Sequence, residues 1–231
     1  MIKIQPRPDD KTRTQEQWIP IFNDRNERMI SAPDSYQLAK EDNTTGIELV
    51  RKDFGGYDWL VTSTQMRYKD NLKADIVHYT DSKWEKVYRN ITVPEYSGSF
   101  KEDKETEKFL QALFDTKDKI STIIETLKKL SGKNIIRLWT PSQSSRRGTP
   151  VRSVGVCYDG LGRFCVDCDS WFGYGSGYSR GVSSSSSSKK KGKFKPVKFS
   201  EEGIFDCINN SDNSPEKAIA MMRYNDRIKK R

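Results

Sequence analysis

Three cysteines, Cys157, Cys165 and Cys168, fall within twelve residues, and the last two are spaced C-x-x-C. Thiolates at that density bind zinc when a fourth donor joins them, and Cys207 or the single histidine, His78, is available for that role. The same side chains are also small and weakly polar, and they suit a core equally well. The local backbone decides between the two. If residues 163–168 form a regular strand, Cys165 and Cys168 project from opposite faces and cannot share a metal. No glycine follows the C-x-x-C to make the tight turn of a zinc knuckle. The expectation is buried thiols and no cofactor, with zinc held by Cys157, Cys165, Cys168 and Cys207 as the alternative.

Hydrolytic chemistry has thinner support. Asp75 followed by Asp81-Ser82-Lys83 has the residue types of a metal-dependent nuclease core, in which carboxylates hold a divalent cation and a lysine steadies the attacking water. Asp81 to Lys83 are also needed as a hairpin turn, and the turn is the expectation here. One histidine excludes any paired-histidine metal motif, and no nucleophile-elbow sequence accompanies it. Gly160-x-Gly162 and Gly175-x-Gly177 are too short for a phosphate-binding fingerprint.

The chemistry that remains is electrostatic and aromatic. Between Asp169 and Glu201 there is no carboxylate. That interval opens with Trp171, Phe172, Tyr174 and Tyr178 among glycines, continues through six serines, and ends with Lys189, Lys190, Lys191, Lys193, Lys195 and Lys198. Residues 1–130 hold 22 Lys+Arg against 23 Asp+Glu, whereas residues 131–231 hold 19 against 9, so the net charge of +9 belongs to the second half. Cations tracking phosphates beside rings that stack on bases are the ingredients of single-strand binding. The candidate nucleic-acid-binding residues are Arg146, Arg147, Arg152, Arg163, Trp171, Tyr174, Tyr178, Arg180, Lys189, Lys190, Lys191 and Lys193. The plainer reading of the same tract is a solvated, solubilising tether. For Trp139, Tyr158 and Phe164, the other rings of this region, core packing is the plainer reading.

These residues need elements to position them. Residues 1–45 are polar and broken by Pro6, Pro8, Pro20 and Pro33, which predicts an extended N-terminal arm anchored by Trp18, Ile19, Ile21 and Phe22. Residues 46–172 predict an α+β core. Gly46–Val50 and Tyr57–Thr62 are strand candidates, and Asp75–Tyr79 with Trp84–Val93 reads as a hairpin turning at Thr80–Lys83. Phe109, Leu113, Thr116, Ile120, Ile123, Leu127 and Leu130 repeat in steps of four and three, which predicts one long amphipathic helix over 103–131, stopped at Ser131-Gly132. Ile135–Trp139 predicts a strand, and Val151–Tyr158 with Arg163–Cys168 predicts a hairpin around Asp159-Gly160-Leu161-Gly162. Residues 173–199 read as a Gly/Ser/Lys-rich tether, and 200–231 as a small helical C-terminal unit that starts again at Ser214-Pro215.

The fold expected is α+β: a mostly antiparallel sheet with one long helix, then a flexible basic tether and the helical unit. Hydrophobic residues make up 34% and charged residues 32%, a composition that predicts a modest core and exposed segments. No apolar run reaches the length of a membrane span, and no signal segment is visible. The expected setting is intracellular and cytoplasmic, or inside a particle. The leading functional expectation is a non-enzymatic nucleic-acid-binding accessory protein, with nucleic acid or another polyanion as partner and no membrane. A structural assembly protein of a virion or other large particle, forming a homo-oligomer or large assembly, is the second reading. It draws on the arm and the heptad-like seam. A metal-dependent enzyme comes third.

Overall fold

The sheet grows outward from locally encoded hairpins. The computed structural model describes residues 2–55, 58–69, 72–94, 97–99, 102–141, 151–159, 161–171 and 177–184. All of them belong to one unit, Met1–Ser186. β3 (Trp59–Tyr68) turns into β4 (Lys73–His78), and β4 into β5 (Lys86–Thr92), as an antiparallel meander. The second turn, residues 79–85, takes its curvature from Tyr79 and Asp81 in the left-handed region, at φ 56° and 54°. The Ser82 hydroxyl donates to the Tyr79 carbonyl across it at 2.6 Å. Asp81 and Lys83 are therefore turn residues, as expected.

β8 (Val151–Tyr158) and β9 (Phe164–Trp171) form the other hairpin. One carboxylate organises its turn. Asp159 accepts from the backbone N–H of Leu161 at 3.0 Å and of Arg163 at 2.9 Å, and from Arg163 Nε at 2.6 Å. Gly162 supplies the φ of 70° that closes the turn. β3 pairs antiparallel with β8, and β7 (Ile136–Trp139) runs parallel to β9 with β6 (Ser97–Ser99) beyond it. The strand order is β5-β4-β3-β8-β9-β7-β6, antiparallel except at β7–β9. The fold is α+β.

Among the described residues, five helices pack on this sheet. α2 (Ala32–Lys40) starts at a reciprocal capping box between Ser31 and Asp34, and α3 (Thr44–Asp53) starts on Asn43, whose side chain accepts from the Gly46 N–H. α4 is Lys104–Leu113 and α5 is Ile120–Ser131. Their apolar faces, including Leu38, Val50, Phe109, Leu113, Ile123 and Leu127, share one core with Leu60, Met66, Ile76, Val156 and Val166 of the sheet. α1 (Gln15–Asp24) buries Trp18, Ile19 and Phe22 against Val61 in a separate cluster. Leu60 and Val61 are adjacent on a strand, so α1 lies on the opposite face from the main core.

Four expectations change. Residues 1–45 are not an extended arm: β1 (Ile2–Ile4), α1, β2 (Arg28–Met29) and α2 are built into the fold, and Ile4, Ile30 and Tyr36 sit in the main core. Gly46–Val50 is helical rather than a strand. Its buried positions Ile47, Val50 and Phe54 recur at helical spacing, and a Cβ on Gly46 would come 2.7 Å from Leu38 Cδ2, so glycine permits the close approach of α2 and α3. The single helix over 103–131 is two. Asp115 takes φ 48°, and Asp118 anchors the connection by accepting from Thr116 Oγ1 at 2.8 Å, Tyr36 Oη at 2.8 Å and Lys40 Nζ at 2.6 Å. Thr116, the one polar position of the seam, falls in this break. The apolar members of the seam are all buried in the protein's own core.

The fourth change concerns the tether. Residues 177–184 are woven into the body. β10 (Gly181–Ser184) lies between β1 and β2 in a second, three-stranded sheet, with Ser184 opposite Ile2 and Ser183 opposite Lys3. Gly177 exchanges both backbone hydrogen bonds with Arg13, at 2.9 and 3.0 Å, and its carbonyl accepts from Trp18 Nε1 at 2.8 Å. The rest of the expected tether, 173–176 and 185–199, and the C-terminal helical unit lie outside the described residues.

Candidate functional site

Of the twelve residues expected to contact nucleic acid, the described ones are engaged within the fold. Arg180 is almost fully buried. Its Nη2 lies 2.8 Å from Asp53 Oδ1, and its Nε also pairs with that carboxylate. Burial pushes the Asp53 carboxyl up, while Arg180 and Arg7 pull it down. Tyr178 lies beneath the Arg7 guanidinium, which sits 4.1 Å from its ring centroid, and its backbone bridges β3 through Trp59 and Val61. Arg152 is fully buried. Arg163 holds Asp159, and Arg137 approaches the same carboxylate at 3.8 Å. Burial would raise the Asp159 carboxyl, but the Arg163 and Leu161 donors hold it below its ordinary range. Arg146, Arg147, Tyr174, Lys189, Lys190, Lys191 and Lys193 lie outside the described residues, as does the side chain of Trp171.

The cysteines divide by face. Phe164, Val166 and Cys168 alternate along β9 into the main core, so Cys165 points the other way. There it meets Cys157, its cross-strand partner on β8. Both are buried. The Cys165 thiol donates to the Arg163 carbonyl at 3.8 Å. The neighbouring Cys157 thiol, helped by Trp139 and Arg137 and opposed by burial, lowers the Cys165 thiol to about 7, while Cys165 and burial push Cys157 up. Cys165 and Cys168 therefore cannot chelate one ion from a single face. Cys207 lies outside the described residues. Among the described residues, no group of three or more His, Cys, Asp or Glu side chains converges.

His78 is committed elsewhere. It is fully buried, with Nδ1 3.0 Å from Thr64 Oγ1 and Nε2 2.9 Å from the Ala112 carbonyl. A carbonyl only accepts, so Nε2 carries the proton and Nδ1 accepts from the threonine hydroxyl. Burial pushes its pKa down to about 4, which keeps the ring neutral. Asp75, the other residue of the nuclease-like set, accepts from Lys69 Nζ at 2.7 Å and from the Asn90 N–H at 2.8 Å.

One surface feature escaped the sequence reading. A groove of about 360 Å³ between β5 and α4 is lined by Asn90, Ile91, Thr92, Lys104, Glu105 and Lys108. The signal was the spacing of Lys104 and Lys108, one helical turn apart on the exposed side of α4, but only the packing of α4 beside β5 turns it into a groove. Among the described residues, no helix is long and apolar enough to cross a membrane. No protein-family model matches the chain, and neither a characterised protein nor a solved structure shows significant similarity to it.

Proposed function

We propose that the chain is a non-enzymatic nucleic-acid-binding accessory protein whose ligand is single-stranded DNA or RNA. The observation that carries this reading is the distribution of charge. Residues 1–186 hold 29 Lys+Arg against 26 Asp+Glu, whereas residues 187–231 hold 12 against 6, and Lys189 to Lys198 contribute six cations with no carboxylate. The buried Arg180 and the Asp159-bound Arg163 are spent on the fold. The phosphate-binding capacity therefore rests on the lysine run. A polycation of this density attracts a polyanion by releasing its condensed counterions, which makes binding strongly salt-dependent.

The test is fluorescence anisotropy of labelled oligothymidylate and oligouridylate. It compares the full chain with a variant in which Lys189, Lys190, Lys191, Lys193, Lys195 and Lys198 are all glutamine. Substitution is preferable to a deletion from Ser183, because Ser183 and Ser184 belong to β10. The full chain binds at low salt in the nanomolar-to-micromolar range, and the variant loses at least tenfold in affinity. Equal, salt-insensitive binding by both chains overturns the reading.

A further inference from the structure

The two faces of the large sheet are not alike. Leu60, Val156, Val166 and Leu138 turn into the main core, so their neighbours along each strand point to the opposite face. The registers line those neighbours up in two rows across β3, β8, β9 and β7. One row is Trp59, Cys157, Cys165 and Arg137, and the next is Val61, Gly155, Asp167 and Trp139. α1 packs on the Val61 end of the second row. Trp59 and Trp139 are half-buried and belong to neither hydrophobic cluster. The Trp59 ring reaches over β8 at a position without a side chain: a Cβ on Gly155 would lie 3.4 Å from Trp59 Cε3 and 3.9 Å from Cζ3. On β7, the Arg137 guanidinium sits 5.0 Å from the Trp139 ring centroid.

We propose that this face is a nucleobase-stacking platform, on which Trp59 and the Trp139–Arg137 pair each take the flat ring of an unpaired base. The proposal rests on the nucleic-acid reading and adds to it where the bases, as distinct from the phosphates, are held. A partly exposed indole offers a planar apolar ring, and every base has a π-face that stacks on one. A guanidinium plane stacks on bases as well, so Arg137 extends the surface of Trp139. Charge selects which part of the strand lies here. Asp167 stands in the second row between Gly155, over which the Trp59 ring reaches, and Trp139. A carboxylate there repels a phosphate and accepts from the N–H edge of a base. The net charge of +9 over the chain favours an anionic strand over a neutral sugar ring, which also stacks on indole. Stacking adds affinity without counterion release, so the salt dependence stays with the lysine run.

The full chain is titrated with labelled oligothymidylate and with an abasic strand of the same length, which keeps every phosphate and has no bases. Oligothymidylate binds about tenfold tighter or more. Trp59→Ala and Trp139→Ala each lower the affinity for oligothymidylate about fivefold or more and leave that for the abasic strand unchanged. Trp139→Phe, which keeps a flat ring, retains most of the preference. Ultraviolet crosslinking of the wild-type complex, followed by trypsin and mass spectrometry, decides the matter if an alanine variant fails to fold. The crosslinked thymidine is expected on the peptides 53–67 and 138–146, which carry Trp59 and Trp139. Salt-dependent binding that ignores the bases, or crosslinks confined to other peptides, overturns the platform and leaves the nucleic-acid reading in place. No binding of either strand overturns both.

Discussion

His78 shows how one buried ring can be structural and still leave a pH signature. Its hydroxyl partner, Thr64, accepts in turn from the Ala32 N–H at 3.0 Å, so the ring links β4 to the N-terminus of α2 and, through Ala112, to the end of α4. Burial lowers its pKa to about 4 in the folded protein, against about 6.5 in an unfolded chain. Between those values the unfolded state binds more protons, so stability falls as pH drops from 6.5 towards 4, and it is fully present above 6.5. The whole shift corresponds to about 3 kcal/mol. The buried carboxyls Asp34 and Asp53, raised by desolvation, bind protons preferentially in the folded state and work in the opposite direction. The comparison that isolates the histidine is therefore wild type against His78→Gln, since glutamine keeps an acceptor and a donor. The stability gap between them in urea unfolding shrinks by about 2–3 kcal/mol from about pH 7 to about pH 4.5. A gap unchanged with pH removes the histidine from the account.

Among the elements, sequence legibility follows the range of the interactions that define them. Both hairpins could be read because turn chemistry and two-residue alternation are local, and Asp159 with Gly162 sets its own turn. The end of α5 could be read for the same reason: Gly132 takes φ 69°, and Lys128 and Lys129 occupy the last turn. The sequence could not show that Arg51 of α3 reaches that end, donating to the Lys129 and Leu130 carbonyls at 2.6 and 2.8 Å. The break at residues 114–119 was hidden because a heptad count cannot see Asp118 being anchored by α2. β10 was hidden most completely. Its register is set by β1 and β2 at the far end of the chain, and glycines that look like flexibility in the sequence are demanded by packing. A Cβ on Gly177 would lie 2.3 Å from the Trp59 carbonyl oxygen and 2.9 Å from Trp59 Cβ, both of them atoms with little freedom to move. Gly177→Ala therefore forces β3 and the 177–184 segment apart, and it lowers unfolding stability by about 2–3 kcal/mol. Urea unfolding at neutral pH measures this. A loss below about 0.5 kcal/mol, the range of ordinary surface changes, means that the close approach does not constrain this site.

For the whole molecule, the question is whether polyanion binding belongs to the lysine run or to the folded body, and salt dependence separates the two. Each cation that displaces a counterion from a single strand adds about 0.7 to the negative log–log slope of affinity against salt, so six lysines contribute about 4. Near-balance of charge over residues 1–186 predicts that the body adds little. Neutralising Lys189, Lys190 and Lys191 to glutamine should then remove about half of the slope, and neutralising Lys193, Lys195 and Lys198 as well should bring it close to zero. The two steps should be nearly equal, because counterion release counts charges and not their fixed positions, whereas a built phosphate site would lose its affinity abruptly with one particular residue. Anisotropy titrations across a salt series give the slopes directly. A slope that persists after all six substitutions moves the phosphate path onto the folded body. The groove beside α4 is then the first place to look, and Lys104→Gln with Lys108→Gln should lower the remaining slope. If it does not, the Arg146–Arg147 pair is the next cationic segment to neutralise.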